Sequence, residues 1–204
     1  MSSRATVSKS RTQAPLGERF RVALAYAARL HATQFRKGTT RPYIAHLLGV
    51  TSTVLTHGGD EDEAIAALLH DAVEDQGGVP RLIEIRRKFG PHVAEIVKGC
   101  TDADTEPEPP WFERKRNYLR TLRRANSSVQ LVAAADKLYN ASEILLDFRK
   151  HRHSVWARFK GGRDGTLWYY AEVAKVLSGK GPRDLVRELN QVVAELQEAV
   201  QSLA

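Results

Sequence analysis

Late in an apolar, helix-forming stretch stands His70-Asp71-Ala72-Val73-Glu74-Asp75, which packs an imidazole and three carboxylates into one and a half helical turns. At about 100° per residue these four side chains fan over roughly 140° of one helix face. Carboxylates so crowded repel one another, and the flanking Ala66, Ala67, Leu68, Leu69, Ala72 and Val73 predict a buried helix. A cation among them resolves the conflict, so the segment reads as half of a metal site. Pro42-Tyr43-Ile44-Ala45-His46 offers a second imidazole at the start of a helix. Leu131-Val132-Ala133-Ala134-Ala135-Asp136 offers a carboxylate within an apolar one. Buried ions are costly when unpaired, so Asp136 needs a metal or a basic partner. Asn140, four residues on, shares its helix face.

The flanking residues make the pattern specific. Gln34-Phe35-Arg36-Lys37-Gly38 precedes the first histidine, and Lys137-Leu138-Tyr139-Asn140 follows the distant aspartate. A histidine, then His-Asp, then a distant aspartate in this setting resembles the HD-domain metal-dependent phosphohydrolases of the RelA/SpoT hydrolase family. It is most similar to the stand-alone small alarmone hydrolases of the metazoan SpoT-homologue type, over roughly residues 17 to 178. The resemblance implies His46, His70, Asp71 and Asp136 as metal ligands and Mn²⁺ as the ion. Two imidazoles and two carboxylates without thiolate do suit an octahedral ion better than a closed structural zinc site.

The reaction so implied is removal of the 3′-pyrophosphate of a guanosine alarmone, (p)ppGpp, by a metal-activated water. Glu74 lies one turn beyond His70 and takes the role of general base, with Asp75 orienting the water or protonating the leaving oxygen. The resemblance sets Arg36 and Lys37 against the nucleotide and Lys115 against phosphate. Asn140 would hydrogen-bond substrate or a ligand, and Tyr43 either lines the sugar pocket or is a buried structural tyrosine. Three departures from the family stand out: Leu47 in place of a proline, the longer turn Gly38-Thr39-Thr40-Arg41, and Ser142 where an arginine commonly follows the asparagine by two.

Positioning these residues falls to helices, since helical periodicity runs almost throughout and strand-like alternation is absent. Phe20, Leu24, Ala27, Ala28 and His31 share one face. A second helix runs from Ile44 to His57 and stops at Gly58-Gly59. Asp60 with Glu63 has the form of a capping box opening the helix that carries His70. Gly90 ends one helix and Pro91 begins another. The acidic, proline-rich Thr105–Pro110 is a loop and a candidate cover for the site. The fold expected is all-α, a compact single HD-domain helical bundle: a disordered basic tail over 1–16, the hydrolase domain over 17–180, and an amphipathic C-terminal helix over 181–204. The Leu185, Leu189, Val192 or Val193, Leu196 and Val200 stripe of that helix either completes the core or pairs with another subunit, so monomer and homodimer both stay open. His31, His57, His92, His151 and His153 read as packing or surface residues. Trp156, Trp168, Tyr169 and Tyr170 read as core.

With 204 residues the chain suits one domain, and its single cysteine excludes an internal disulfide and a thiolate zinc cluster. No span long enough for a membrane is visible, and no secretory signal, which points to the cytoplasm. The net charge of +7 gathers partly in Arg114, Lys115, Arg116, Arg120, Arg123 and Arg124. Without a nucleic-acid motif or aromatic interleaving, a small nucleotide is the expected partner rather than DNA or RNA. Two other readings compete: the same metal chemistry on (p)ppApp, NADPH or a nucleoside phosphate, and a non-catalytic nucleotide- or RNA-binding protein.

Overall fold

Val129 to Ala135 are buried without interruption, and a helix that is apolar on every side belongs at the centre of a bundle. This segment lies in α8 (Ser127–His151), about which the computed structural model arranges the rest. The structure describes residues 15–102 and 109–202; the expected N-terminal tail up to residue 14 and residues 105–108 of the expected loop lie outside them. Before α8 come α1 (Glu18–Leu30), α2 (Ile44–Thr56), α3 (Glu61–Leu69), the single turn α4 (Ala72–Asp75), α5 (Gly78–Phe89), α6 (Pro91–Cys100) and α7 (Trp111–Arg124). A 3₁₀ segment (Arg152–Arg158), α9 (Gly162–Leu177) and α10 (Arg183–Gln201) follow. Among the described residues, extended structure is confined to one bridge between Phe35 and Pro42, so the fold is all-α. No described helix is long and apolar enough to cross a membrane.

Local chemistry starts and stops these helices. Asp60 accepts from the Glu63 amide while Glu63 reaches back to the Asp60 amide, which closes the capping box of α3. Asn126 caps α8 by accepting from the Val129 amide at 2.9 Å. Gly90, at φ +98°, makes the turn from α5 into α6 that a side chain would resist.

The helices that carry the candidate residues pack directly on one another: α3 is sandwiched by α1, α2, α6 and α8, and α2 lies on α8. Every residue of α3 from Glu63 to Leu69 is buried. The α2–α8 approach depends on Gly49, where a Cβ would stand 2.0 Å from the Tyr139 ring. Gly49→Ala is expected to cost about 1–3 kcal/mol by overpacking, read as a lower denaturation midpoint. An unchanged midpoint would mean that the Tyr139 ring gives way freely. In α10, Leu185, Leu189 and Leu196 are fully buried against α8 and α9, so the C-terminal stripe completes this core.

Candidate metal centre and cleft

His46 stands at the first turn of α2, His70 at the end of α3, Asp71 just beyond it, and Asp136 within α8. Helix packing brings their donor atoms to one point. His46 Nε2 lies 3.3 Å from His70 Nε2, 3.3 Å from Asp71 Oδ2 and 3.3 Å from Asp136 Oδ1. His70 Nε2 lies 3.1 Å from Asp71 Oδ2 and 3.5 Å from Asp136 Oδ1. Donor atoms held about 2.0–2.2 Å from one ion are separated by roughly 3–3.5 Å, so the spacing fits a single ion. The site is interior: His46, His70 and Asp136 are 1%, 2% and 6% exposed.

The donor chemistry fits as well. His70 Nδ1 sits 2.8 Å from the Ala67 carbonyl. That contact makes Nδ1 the donor in the neutral ring and leaves Nε2 as a lone pair facing its neighbours. Burial pulls the His70 imidazole down, yet the Asp71 and Asp136 carboxylates outweigh it and hold the ring well above its usual value. Burial likewise opposes ionisation of Asp71 and Asp136, while the neighbouring imidazoles, with Lys137 for Asp136, hold both well below the carboxylate range. A field that draws a proton onto buried His70 is one that a divalent cation satisfies.

The sequence reading set His70 to Asp75 on one continuous helix; the structure breaks it. After α3 ends, Asp71 takes φ −93°, ψ −4°, and α4 restarts from it as a single turn. The break turns Asp71 toward Tyr43, whose hydroxyl donates to Asp71 Oδ2 at 2.7 Å. It also separates the roles within the motif. His70 and Asp71 face the point of convergence, whereas Asp75 lines the adjoining cleft and Glu74 lies on the exposed side of the turn against the Asp102 amide. Glu74 accepts a hydrogen bond from the Asp102 amide. The protein packed around Glu74 and the Asp102 and Asp71 charges push its carboxyl up to about 7. Asp75 accepts from the Gln34 amide group at 2.8 Å and is raised by burial and by Asp71.

That cleft, about 400 Å³, is lined on one side by the 34–43 turn and on the other by α7, α8 and α9. Backbone bonds from Arg36 to Arg41 and from Tyr43 to Gln34 make the turn a small hairpin. The hairpin holds Arg36 over the Tyr43 ring at 5.5 Å. Arg36 donates to Asn140 Oδ1, and Asn140 donates in turn to Asp136 Oδ1, so the cleft wall is wired to the Asp136 carboxylate. Lys37 is exposed at the rim. Arg41, in the turn that departs from the family, pairs with Glu143 and Asp147, and Ser142 stands beside them on α8. Leu47, the other departure, is fully buried in the core. A larger groove of about 790 Å³ beside Glu95, Lys98 and Arg124 contains none of these residues.

The structure also assembles residues that the motifs did not single out. Asp102 pairs with both Arg114 and Lys115 and so anchors the start of α7 beside Glu74. Its partners lie 12 to 28 residues away, and nothing in the local pattern marks it. Lys137 pairs with Asp136 at 2.5 Å; an apolar helix carrying a lone Asp-Lys step was the available signal. Gln34, quoted within its motif, bridges to Asp75, and His31 stacks on Tyr43 at 5.2 Å.

An HD domain family model matches residues 23–167. Over 177 residues the chain is 41% identical to the Homo sapiens guanosine-3′,5′-bis(diphosphate) 3′-pyrophosphohydrolase MESH1, covering 84% of this chain and 88% of that one. The Xenopus tropicalis counterpart is 40% identical over 122 residues, 58% of this chain and 65% of that one. A solved structure of a metazoan orthologue of SpoT that hydrolyses ppGpp aligns with a TM-score of 0.73 at 26% identity, covering 93% of this chain and 99% of that one.

Proposed function

Because the chain belongs to the HD domain family and, within it, stands with the guanosine-3′,5′-bis(diphosphate) 3′-pyrophosphohydrolases, we propose that it is a metal-dependent hydrolase of (p)ppGpp. One observation carries this reading: two imidazoles and two carboxylates converge at the edge of a cleft that also holds Arg36, Lys37, Lys115, Lys137 and Asn140. Lys137 and Asn140 line that cleft and both bond Asp136, which supports a reading in which the cationic wall and the cluster serve one substrate. His46, His70, Asp71 and Asp136 would hold the ion, and we take it to be Mn²⁺. When bound, it would lower the pKa of water and neutralise charge developing on phosphoryl oxygen.

The side chains supply the rest. Glu74, deprotonated, accepts a proton from water as the water oxygen bonds to the phosphorus on the ribose 3′ oxygen. The bond between that phosphorus and the 3′ oxygen breaks. Asp75 carries a proton to the departing 3′ oxygen, a role that the upward push of burial and the Asp71 charge on its carboxyl assists. GDP or GTP and pyrophosphate result. Burial and the Asp71 and Asp75 carboxylates keep the Tyr43 hydroxyl protonated, so it holds Asp71 in place as a donor. Arg36 presents a planar guanidinium to the nucleotide, and Lys37 and Lys115 present point charges to its phosphates. An enzyme acting on the free nucleotide pool works in the cytoplasm, where we place it.

The test is pyrophosphate release from ppGpp, ppApp and NADPH, with Mn²⁺ and with chelator. Release from ppGpp that requires Mn²⁺ is expected. Release only from another nucleotide would keep the chemistry and move the substrate. No release from any of them by folded, metal-loaded protein would overturn the reading.

A further inference from the structure

His31 closes the end of α1 and is 2% exposed, yet it belongs neither to the convergent cluster nor to the cleft lining. Its two ring nitrogens sit in unlike surroundings. Nδ1 lies 2.7 Å from Gln34 Oε1, while Nε2 is buried with no hydrogen-bond partner among the described residues. An unpaired buried nitrogen costs free energy. An apolar ring would fill the same space without that cost, so packing alone does not account for an imidazole here. The contact at Nδ1 does.

That contact begins a chain that ends on Asp75. The His31 carbonyl accepts from the Gln34 backbone N–H at 3.1 Å, so backbone and side chain both fasten Gln34 to the end of α1. Gln34 Oε1 also accepts from the Gln76 side-chain amide at 2.6 Å, and Gln34 Nε2 donates to Asp75 Oδ2 at 2.8 Å. A carboxylate oxygen accepts, so Gln34 must turn its NH₂ to Asp75 and its oxygen the other way. That oxygen then needs donors, and His31 serves as one only with its proton on Nδ1. Reversing the Gln34 amide would set its oxygen against the carboxylate and its NH₂ against that of Gln76. The same imidazole lies nearly parallel to the Tyr43 ring, at 5.2 Å and 14°, and Tyr43 donates to Asp71. One buried side chain thus backs a donor to Asp75 and a donor to Asp71.

We propose that His31 is a positioning residue: through Gln34 it commits Asp75 Oδ2 to accepting, and so leaves Oδ1 to carry the proton that goes to the departing 3′ oxygen. The use made of that proton rests on the hydrolase reading above.

The first arm of the test needs no substrate. Long-range ¹H–¹⁵N NMR of the imidazoles at mildly alkaline pH reads which nitrogen of His31 holds the proton. Nδ1 is expected in wild type, and Gln34→Leu is expected to lose that preference. A proton on Nε2 in wild type, or an Nδ1 proton that Gln34→Leu leaves unchanged, would overturn the proposal. The second arm is ppGpp hydrolysis by the Mn²⁺-loaded enzyme. His31→Phe keeps a ring to stack on Tyr43 and removes the donor, whereas His31→Asn sets a carboxamide N–H near the place of Nδ1. His31→Phe is expected to lower kcat about tenfold, one hydrogen bond's worth, with KM and Mn²⁺ affinity unchanged. His31→Asn is expected to recover most of that loss although it gives up the stack. Wild-type kcat in His31→Phe, or a loss that His31→Asn shares in step with a lower thermal midpoint, would make His31 a packing residue. The NMR arm decides if His31→Phe does not fold. If the Nδ1 proton depends on Gln34 but wild type does not hydrolyse ppGpp, the bracing of Asp75 stands and the substrate reading falls. If ppGpp is hydrolysed and both His31 variants keep wild-type kcat, the positioning role alone falls.

Discussion

Glu74→Gln is expected to lower kcat by about 10²–10⁴-fold, the range of a positioned general base, while the divalent ion still binds. The glutamine keeps the shape and still accepts the Asp102 amide bond with its own oxygen. What it loses is the ability to take a proton from water. Because His46, His70, Asp71 and Asp136 are untouched, Mn²⁺ titration of the variant should match wild type. The pH profile supplies a second check. Glu74 must be ionised to act, so wild-type kcat/KM should rise with pH on an acidic limb set by a carboxyl near 7, or below it once a cation sits nearby. The sign on stability runs the other way. A carboxyl raised in the folded state favours its neutral form, so Glu74 supports the metal-free fold at acidic pH. That support is lost as pH rises through about 7. Metal-free Glu74→Gln should therefore gain on wild type in thermal stability as pH rises from about 4.5 to 8. A variant retaining full kcat would remove Glu74 from the chemistry.

Asp136→Ala is expected to abolish both ion binding and turnover, and to destabilise the metal-free protein as well. Asp136 faces His46 and His70 through Oδ1 and Lys137 through Oδ2. Removing one partner from a buried charged network costs about 3–5 kcal/mol, since the others remain unpaired. At about 2–4 °C per kcal/mol for a chain of this size, the midpoint should fall by roughly 6–20 °C. Asp136 is held well below the carboxylate range, so its contribution is present above about pH 4. It is lost as pH falls through the depressed folded value. Mn²⁺ should raise the wild-type midpoint, as any ligand of the native state does, and leave the variant's unmoved. A variant that is as stable as wild type without metal, and that still gains stability from Mn²⁺, would refute the ligand assignment.

Ion-free destabilisation separates Asp136 from a residue that only touches metal, and the same test bears on its neighbours. Asp102 pairs with Arg114 and Lys115 in the same interior, so charge there is balanced across three helices rather than residue by residue. The basic character of α7 thus has two parts. Arg114 and Lys115 are drawn inward by Asp102, while Arg116, Arg120, Arg123 and Arg124 remain on the solvated face.

Much of the site was legible because its information is local. His70-Asp71 and Glu74-Asp75 lie within six residues, Asp136 and Asn140 within five, and the helix period alone states which of them share a face. The capping box at Asp60 and the Gly90-Pro91 junction were readable for the same reason, since each is a bond or a dihedral between near neighbours. The α10 stripe announced an apolar face without naming its partner; α8 and α9 cover it.

Residue types and spacing by themselves determined the all-α class and pointed to a cation near the His70–Asp75 carboxylates, because those follow from short-range periodicity and from what buried charge demands; the family resemblance supplied the ligand quartet. Only the tertiary structure decided the break at Asp71, the Asp102 clasp and the packing of Trp111 on Tyr169. Each depends on groups far apart in sequence, such as Tyr43 on Asp71, Asp102 on Lys115 and Trp111 on Tyr169. Their meeting is set by how whole helices pack, and no local pattern encodes that.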